Sequence, residues 1–390
     1  MNIPDWTLLN LNAYCPGRVL DPSTGEAITY ERLIEVLPPS LAELELSESP
    51  TLPVPEGLRE EFCDYRPTPV FRADKFAAAI GNDCTVFAKD EGGTPSGNHK
   101  MNSALWIAYH CARDGIKTIT TETTGNWGLA LALAATRFGQ HVVCFIDEAS
   151  AAARPDRYRL MCDAGAEVIV VGPEDAEADY DPLVLSADRA VTYTRNRDDA
   201  RYIFGSVYNY FILPQTLTGS ELIRQLADER VDVVVGSCGG GANLLGVAAA
   251  FLALRVETGS GPQVLSAESD QCPIITKGQL GKYSIDEQGY YPALRTYGLD
   301  RLLGDEYIGG LGSTLVAAPV AHFHEQGLID GMTISAEQAG YAARLFAQTE
   351  GRRVALETGY QLAAVVEEAR RTPGCNLLVN VSSVGDNSYA

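Results

Sequence analysis

A lysine at the start of a predicted helix is the first residue whose position could support chemistry. Lys100 follows a Pro/Gly/Asn turn and precedes an apolar helical stretch in PSGNHKMNSALWIAYH. The positive end of a helix dipole and a partly dry setting both lower the pKa of a lysine, and an uncharged amine is what Schiff-base formation requires. A solvated lysine entering a helix is the ordinary alternative, so this segment does not decide by itself.

Three consecutive glycines follow a strongly apolar strand pattern in VDVVVGSCGGGANLLG. Gly239, Gly240 and Gly241 lead through Ala242 and Asn243 into the next helix. Backbone N–H groups in such a turn can close around an anion, and the helix N-terminus adds to the field. The spacing fits neither the Walker pattern nor the GxGxxG dinucleotide pattern. The segment predicts a phosphate cradle, with a flexible strand–helix turn as the alternative.

A second polar turn before a helix occurs in TTETTGNWGLALALAA. Its hydroxyls, amide and backbone N–H groups suit a carboxylate ligand. The residues predicted to bind the substrate are Thr123, Thr124, Gly125, Asn126 and Trp127. Glu122 ends the strand before this turn, and facing a closed pocket it would have a raised pKa and could pass protons near neutral pH. A charged residue at a helix start is the alternative for Glu122.

Two serines end a buried strand pattern near the C-terminus, in LLVNVSSVGDNSYA. A neutral hydroxyl at Ser382 or Ser383 could hydrogen-bond a pyridine nitrogen and leave it unprotonated, whereas a carboxylate would hold it protonated. That choice sets how strongly such a ring withdraws electrons. Ordinary turn serines are the alternative.

The elements around these segments alternate between short strands and longer helices. The strand patterns are CTVFAK, KTITTE, HVVCFI, AEVIVVG, VDVVVGS, QVLSAES and NLLVNVS. Helical stretches with apolar residues three and four apart lie between them. The alternation predicts the α/β class, with two doubly wound three-layer domains and a cofactor cleft between them. We predict an N-terminal arm over residues 1–65, one α/β domain over 66–215 and another over 216–390.

Composition limits the partners and the location. The chain has 390 residues, a formal net charge of −21 and nine cysteines. The negative charge argues against nucleic acid and anionic membranes as partners. The cysteines show no CxxC and no Cys/His ligand spacing, which predicts reduced thiols and no metal site. The start lacks a signal-peptide pattern and no apolar run approaches about 20 residues, so we expect a cytoplasmic protein.

Together these segments resemble the fold-type II pyridoxal-phosphate-dependent enzymes, and more closely the tryptophan synthase β-subunit family, particularly its longer, second-type chains. The similarity covers most of the chain and rests on blocks such as RPTPVFRADKF, GNHKMNSALWIAYHCARDG, GSVYNYFILPQTLTG, GSCGGGANLLG, TEGRRVALETGYQL and NVSSVGDN. It implies a lyase of amino-acid biosynthesis that uses pyridoxal 5'-phosphate. It also implies a homodimer whose partners are an amino-acid substrate and a nucleophile, without an α-subunit.

The resemblance also implies roles for single residues. Lys100 and Glu122 would be the catalytic residues, Lys100 holding the cofactor as a Schiff base and Glu122 acting as acid and base. His99 would flank the phosphate, Ser382 would face the pyridine nitrogen, and Glu357 would lie near the ring. The implied cofactor-binding residues are His99, Lys100, Gly239, Gly240, Gly241, Ala242, Asn243, Glu357 and Ser382.

Three departures from the family's pattern concern the ligands. The segment ETTGNWG is one residue shorter than the family's carboxylate loop and is more similar to that of threonine synthases, dehydratases and cysteine synthases. Ala242 stands where the family has a serine, which removes one phosphate contact. Gly312 stands where the family has Asp or Arg near the substrate hydroxyl. These departures leave the cofactor residues in place and change the contacts to donor and acceptor.

Two reactions remain open from the sequence. The favoured one is β-elimination from a serine-like amino acid to an aminoacrylate, followed by addition of a nucleophile that need not be indole. The alternative is a serine/threonine dehydratase-like or threonine synthase-like lyase that releases a 2-oxo acid and ammonia, as the shorter loop indicates. A catalytically silent cofactor-binding protein is a third reading, against which Lys100 and Glu122 argue.

Overall fold

The computed structural model describes residues 5–172, 182–304 and 306–385. The strands are β1 Thr7–Leu9, β2 Val19–Leu20, β3 Thr51–Pro53, β4 Val70–Arg72, β5 Thr85–Asp90, β6 Thr118–Glu122, β7 His141–Asp147, β8 Glu167–Val171, β9 Ala200–Tyr202, β10 Val233–Ser237, β11 Gln263–Ser269, β12 Gln279–Tyr283, β13 Ala293–Gly298, β14 Ile329–Ile334 and β15 Asn376–Val381. The α-helices are α1 Tyr30–Leu33, α2 Pro39–Glu45, α3 Glu56–Cys63, α4 Asp74–Ile80, α5 Met101–Arg113, α6 Asn126–Arg137, α7 Glu148–Ala153, α8 Pro155–Asp163, α9 Pro182–Thr194, α10 Asn209–Ile212, α11 Leu217–Gln225, α12 Ala242–Thr258, α13 Ile274–Lys277, α14 Ala318–Glu325, α15 Ala336–Glu350 and α16 Leu356–Arg371. Within these ranges no helix is both long and apolar enough to cross a bilayer.

Six strands form the larger sheet, in the order β14-β11-β10-β15-β5-β4. Every neighbouring pair is parallel except β4 and β5, which are antiparallel. Residues 233–235 of β10 lie opposite residues 377–379 of β15, and all six are buried. Helices α12 and α16 both pack against β10. A parallel strand covered on both faces is apolar at every position, which explains the unbroken valine and leucine runs.

A second sheet holds four parallel strands in the order β8-β7-β6-β9. Helix α9 packs against β6 and β7, and α6 packs against β7. Two helix-covered sheets, one parallel and one parallel except at its edge strand β4, confirm the predicted α/β class. Strands β6 and β10 belong to different sheets, and each leads directly into one of the two predicted ligand turns.

The N-terminal residues pack on the body through strand pairing and buried side chains. Strand β1 pairs with β3, and β2 pairs with β13. Leu58 and Phe62 of α3 are fully buried. The sheets do not separate the chain at a single point, because β5 precedes residue 215 and yet pairs with β15. The division at residue 215 therefore stays a prediction, with residues 85–90 placed in the same sheet as the C-terminal strands.

Four charged side chains form a buried cluster beside β5. Arg66 Nε donates to Glu221 Oε1 at 2.8 Å, and Arg66 Nη1 lies 3.3 Å from Glu91 Oε2. Lys89 Nζ donates to the other Glu221 oxygen at 2.6 Å. Burial opposes ionisation of Glu91, but the charges of Arg66 and Lys89 outweigh it and lower the pKa of Glu91 to about 2. The two cations and two carboxylates compensate one another inside the protein.

Removing one carboxylate from this cluster should destabilise the fold. We expect Glu221→Gln to lower the free energy of unfolding by about 3–5 kcal/mol, because Arg66 and Lys89 would keep their charges in a buried setting. Urea-induced unfolding measures the change. The control is Glu61→Gln at the partly exposed pair with Arg137, where an ion pair contributes about 0–1 kcal/mol. Equal losses in the two variants would contradict the prediction.

Candidate active site

A cavity of about 430 Å³ lies where β10 and β15 end, the place where open α/β sheets bind ligands. The predicted cofactor residues that line it are His99, Lys100, Gly239, Gly240, Gly241, Ala242, Asn243, Glu357 and Ser382. Lining residues that the sequence did not indicate as ligand contacts are Asn98, Ser206, Ser237, Gly310 and Leu311, and Ser383, the alternative to Ser382 in the sequence, lines the cavity as well. The structure thus brings the whole predicted cofactor set to one cavity.

Lys100 lies immediately before α5 and reaches the turn at Gly309 and Gly310. A methyl group on Gly310 would lie 3.5 Å from Lys100 Nζ. Burial lowers the pKa of Lys100, and the nearby carboxylates of Glu357 and Glu122 only partly offset this. Lys100 therefore has a larger fraction of uncharged amine than a solvated lysine has, and the uncharged amine is the nucleophilic form.

The glycine turn has no room for side chains. A Cβ on Gly239 would overlap the carbonyl oxygen of Gly310, and one on Gly240 would overlap Ser206 Oγ. Gly241 has φ of 109°, a conformation that favours glycine. Asn243 Oδ1 accepts the N–H of Ser237 at 3.1 Å.

Open hydrogen-bonding capacity remains at this turn. Asn243 Nδ2 is buried and has no hydrogen-bond partner within the described residues. Helix α12 begins at Ala242, so its first N–H groups point towards the cavity as unpaired donors. A phosphate group fits this turn for three reasons: a free amide donor, a helix N-terminus, and a space that any Cβ would fill.

Filling this cradle should weaken cofactor binding. We expect Gly239→Ala to raise the dissociation constant of pyridoxal 5'-phosphate by roughly tenfold or more, since the added methyl group displaces the backbone that would contact the phosphate, at a cost of about 1–3 kcal/mol. Titration by cofactor absorbance measures the constant. Gly93→Ala is the control, because a Cβ at Gly93 meets nothing within 4 Å. Unchanged affinity in Gly239→Ala would argue that the phosphate binds elsewhere.

The turn predicted to bind the substrate carboxylate reaches the cavity through one side chain, that of Asn126. Asn126 Nδ2 donates to Glu357 Oε1 at 3.1 Å, while its Oδ1 is buried without a partner among the described residues. Thr123 Oγ1 accepts the N–H groups of Gly125 at 3.0 Å and of Gly128 at 2.9 Å. That hydroxyl therefore caps α6 instead of facing a ligand.

Trp127, also predicted to bind the substrate, packs away from the cavity. Its indole Nε1 donates to Thr121 Oγ1 at 2.7 Å, and its ring packs edge-on against Phe211. The side chain is buried in the core and does not line the cavity. Thr123, Thr124 and Gly125 are also absent from the cavity lining, so their contacts with a substrate stay a prediction.

Glu122 ends β6 as predicted and is buried. Burial raises the pKa of Glu122 to about 8. The hydrogen bond that Tyr202 donates to Glu122 Oε2 lowers this pKa and only partly offsets the effect of burial. The carboxylate does not line the cavity, but it is close enough to Lys100 for each charge to affect the pKa of the other. Tyr202 was not indicated by the sequence. It ends β9, which pairs with β6 so that Tyr202 lies opposite Thr120.

Removing the Tyr202 hydroxyl should shift the titration of Glu122. The donated hydrogen bond favours the carboxylate, so we expect Tyr202→Phe to raise the pKa of Glu122 further, by roughly one to two units. Glu122 would then keep its proton to higher pH, and with Glu122 in the acid–base role that the resemblance implies, the alkaline limb of the kcat profile would move upward. Tyr208→Phe is the matched control, because the Tyr208 hydroxyl donates to the Pro292 carbonyl. Identical pH profiles in both variants would contradict the prediction.

His99 is held by an amide that the sequence did not indicate. Gln215 Nε2 donates to the carbonyl of His99 at 3.0 Å and to Ser103 Oγ at 2.6 Å. Gln215 Oε1 lies 2.9 Å from His99 Nδ1. Because an amide oxygen can only accept, His99 Nδ1 carries the hydrogen and donates it to Gln215 in this hydrogen bond. Burial, followed by the charge of Lys100, lowers the pKa of His99 to about 4. In the described residues no group of three or more His, Cys, Asp and Glu side chains could hold a metal ion.

Glu357 connects the turn at Gly309 and Gly310 with the start of α6. Its Oε1 accepts from Asn126 Nδ2 and, at 3.0 Å, from the N–H of Gly310. Ser383 Oγ lies 3.5 Å from Glu357 Oε2. The carboxylate at the start of α16 thereby fixes the turn beside Lys100 relative to the start of α6.

Comparison with known proteins agrees with this geometry. A family model described as pyridoxal-phosphate dependent enzyme matches residues 63–383. The tryptophan synthase beta chain of Pseudothermotoga lettingae is 31% identical over 373 residues, covering 92% of this chain and 88% of the relative. That of Fervidobacterium nodosum is 32% identical, covering 94% and 90%. The tryptophan synthase beta chain 2 of Thermotoga maritima is 31% identical, covering 90% and 87%.

Proposed function

Because the chain belongs to the pyridoxal-phosphate-dependent enzyme family and is a lyase-type enzyme similar to tryptophan synthase β chains, we propose that it catalyses β-replacement on a serine-like amino acid. The observation that carries the proposal is the position of Lys100, whose amine has a lowered pKa, lines the same cavity as the glycine turn and is close enough to Glu122 for that charge to affect its pKa. When bound, pyridoxal 5'-phosphate supplies the electron sink that allows bonds at the α-carbon of an amino acid to break.

Different cavity residues would bind the different parts of the cofactor. The N–H groups of Gly239–Gly241 and the free Nδ2 of Asn243 would bind the phosphate, with His99 beside it. Lys100 would hold the cofactor covalently. Ser382 would face the pyridine nitrogen from the end of β15. Glu357 would fix the cavity wall beside Lys100 through its hydrogen bonds to Asn126 and to the N–H of Gly310.

Two proton carriers support the replacement reaction. Lys100 Nζ would take the proton from the α-carbon, because it is the amine that faces the cavity. Glu122 carries a proton below about pH 8 and would give it to the leaving group on the β-carbon. The resulting carboxylate would take a proton from the incoming nucleophile. Asn126 and the backbone of its turn would hold the substrate carboxylate.

A second cavity favours an uncharged, largely apolar nucleophile. It measures about 300 Å³ and is lined by Leu183, Val184, Phe204, Ser284, Ile285, Gly312, Ser313, Thr314 and Leu315. The chain segments at Phe204–Ser206 and Leu311–Gly312 contribute to both cavities. No charged side chain lines the second cavity among the described residues. Indole is one member of this class of nucleophile, and the absence of a side chain at Gly312 gives room for others.

Product analysis tests the reaction and the nucleophile together. The holoenzyme is incubated with L-serine, O-acetyl-L-serine or L-threonine, alone and with indole or other uncharged nucleophiles. We expect mass spectrometry to show an amino acid that carries the nucleophile at its β-carbon. Steady release of 2-oxo acid and ammonia that no nucleophile suppresses would instead support the dehydratase-like lyase that the shorter ETTGNWG loop indicates.

We also propose a homodimer that works in the cytoplasm without an α-subunit. The resemblance to the longer β chains supports the assembly, and the nine free cysteines support a reducing compartment. Sedimentation velocity of the holoenzyme would test the dimer. Replacement activity with added nucleophile and no second protein would test independence from an α-subunit.

A further inference from the structure

The hydroxyl of Ser382 receives a hydrogen bond from a buried amide. Gln361 Nε2, on α16, donates to Ser382 Oγ at 2.8 Å, and both residues are almost fully buried. The same nitrogen lies 3.3 Å from the carbonyl oxygen of Glu357. Because a carbonyl can only accept, the nitrogen of the amide and not its oxygen must lie on this side. Gln361 is therefore a fixed donor to Ser382.

A second hydroxyl completes this arrangement. Thr358 Oγ1 lies 3.1 Å from Ser382 Oγ, accepts the N–H of Ser383 at 3.2 Å, and lies 3.2 Å from the Ser383 carbonyl oxygen. Thr358 can give its single proton to that carbonyl or to Ser382. In the second case both lone pairs of Ser382 are occupied, and its own proton must point away from Gln361 and Thr358.

The side that remains for this proton is the cavity, because Ser382 lines it. The backbone fixes the residue there, since the carbonyl of Ser382 accepts the N–H of His99 at 2.8 Å. In the other arrangement Thr358 can accept the proton of Ser382, but a ring nitrogen with a free lone pair would compete for it. A protonated ring nitrogen would need a free lone pair on Ser382, and Gln361 occupies one of the two, while Thr358 occupies the other whenever it donates to Ser382.

We propose that Gln361 is a positioning residue that keeps Ser382 a hydrogen-bond donor and thereby keeps the pyridine nitrogen of the bound cofactor unprotonated. The inference rests on the proposed placement of that nitrogen at Ser382. An unprotonated ring is a weaker electron sink, which suits β-elimination and replacement and disfavours transfer of the amino group to the cofactor. Gln361 would act through Ser382, without touching the substrate.

The test measures the protonation state of the pyridine nitrogen in the resting holoenzyme. The cofactor carries ¹⁵N in its ring and is observed by NMR across pH 6–9. We expect the wild type to show an unprotonated nitrogen. Gln361→Glu places an acceptor opposite Ser382, and Gln361→Leu removes the donor. Each should raise the ratio of protonated to unprotonated ring nitrogen about tenfold or more, as expected from one hydrogen bond to a charged group.

Two further variants interpret the signal. Ser382→Asp puts a carboxylate at the cavity and should give the protonated resonance, which locates the nitrogen at this residue. Gln326→Glu adds the same charge at an exposed position and should leave the resonance unchanged. A protonated nitrogen in the wild type, or wild-type resonances in both Gln361 variants, would overturn the inference. A Ser382→Asp spectrum equal to wild type would overturn it as well, because it would show that the pyridine nitrogen does not lie next to residue 382.

The experiment uses no substrate, so it is independent of the reaction catalysed. Failure to find any replacement product would defeat the proposed function while leaving the nitrogen signal interpretable. Failure of the Gln361 variants to change that signal would defeat the role of Gln361 while leaving β-replacement intact.

Discussion

Replacing Lys100 by alanine is expected to remove the visible absorbance band of lysine-bound cofactor and to lower kcat by at least roughly 10³-fold. Two functions would be lost together, because the same amine is proposed to hold the cofactor and to move the α-proton. Transfer of one proton by a positioned side chain contributes about 10²–10⁴-fold to a rate. Absorbance after addition of pyridoxal 5'-phosphate and product formation under saturating substrate measure the two losses separately.

Lys89 is the control that separates the cavity lysine from another buried amine. Its Nζ is fixed by the Thr68 carbonyl, Glu221 and Gln225 at 2.6–2.8 Å, and it does not line the cavity. Lys89→Met should therefore destabilise the protein and keep the band in the molecules that fold. A band that survives in Lys100→Ala would show that another amine holds the cofactor.

The sequence predicted strands with continuous runs of β-branched or apolar residues better than strands whose apolar pattern is interrupted. All seven predicted strand patterns correspond to strands, β5, β6, β7, β8, β10, β11 and β15. Strand β14 was not predicted, since Asp330 and Gly331 interrupt its apolar pattern. It lies at an edge of the larger sheet, where one side is open and such an interruption is tolerated. The β12–β13 hairpin was missed because polar residues and glycines interrupt the apolar pattern of both strands, QLGKY and ALRTYG.

The sequence indicated site residues that belong to local motifs and missed those that act across the chain. Lys100, Asn243 and Ser382 stand in recognisable turns, so their neighbours along the chain identified them. Tyr202 is 80 residues from Glu122, and Gln215 is 116 residues from His99. Such partners become visible once the pairing of β6 with β9 and the packing of helices are known.

Trp127 is the opposite case, a residue that the motif around it assigned to the site and that does not line the cavity. It follows Asn126 at the start of α6, and helical geometry turns successive side chains by about 100°. With Asn126 facing the cavity, Trp127 faces Phe211 and Thr121 in the core. One residue of spacing on a helix is therefore enough to separate a ligand contact from a core side chain.

Glu122→Gln is the second variant with a large expected effect. The amide keeps the shape of the side chain and can still receive the Tyr202 hydrogen bond, but it cannot release or take up a proton. We expect kcat for β-replacement to fall by about 10²–10⁴-fold. The cofactor band should persist, because Lys100 and the glycine turn are untouched.

The pH dependence of the remaining activity distinguishes proton transfer from a general loss of structure. Glu122 carries its proton below about pH 8, so wild-type steps that need an acid should decline as pH rises through that value. Glu122→Gln has no such group and should lose this limb. Glu45→Gln is the matched control, since burial also raises the pKa of Glu45 to about 8 and that residue does not line the cavity. Turnover that is unchanged in Glu122→Gln, or an alkaline limb that disappears in Glu45→Gln, would assign the proton transfer to another group.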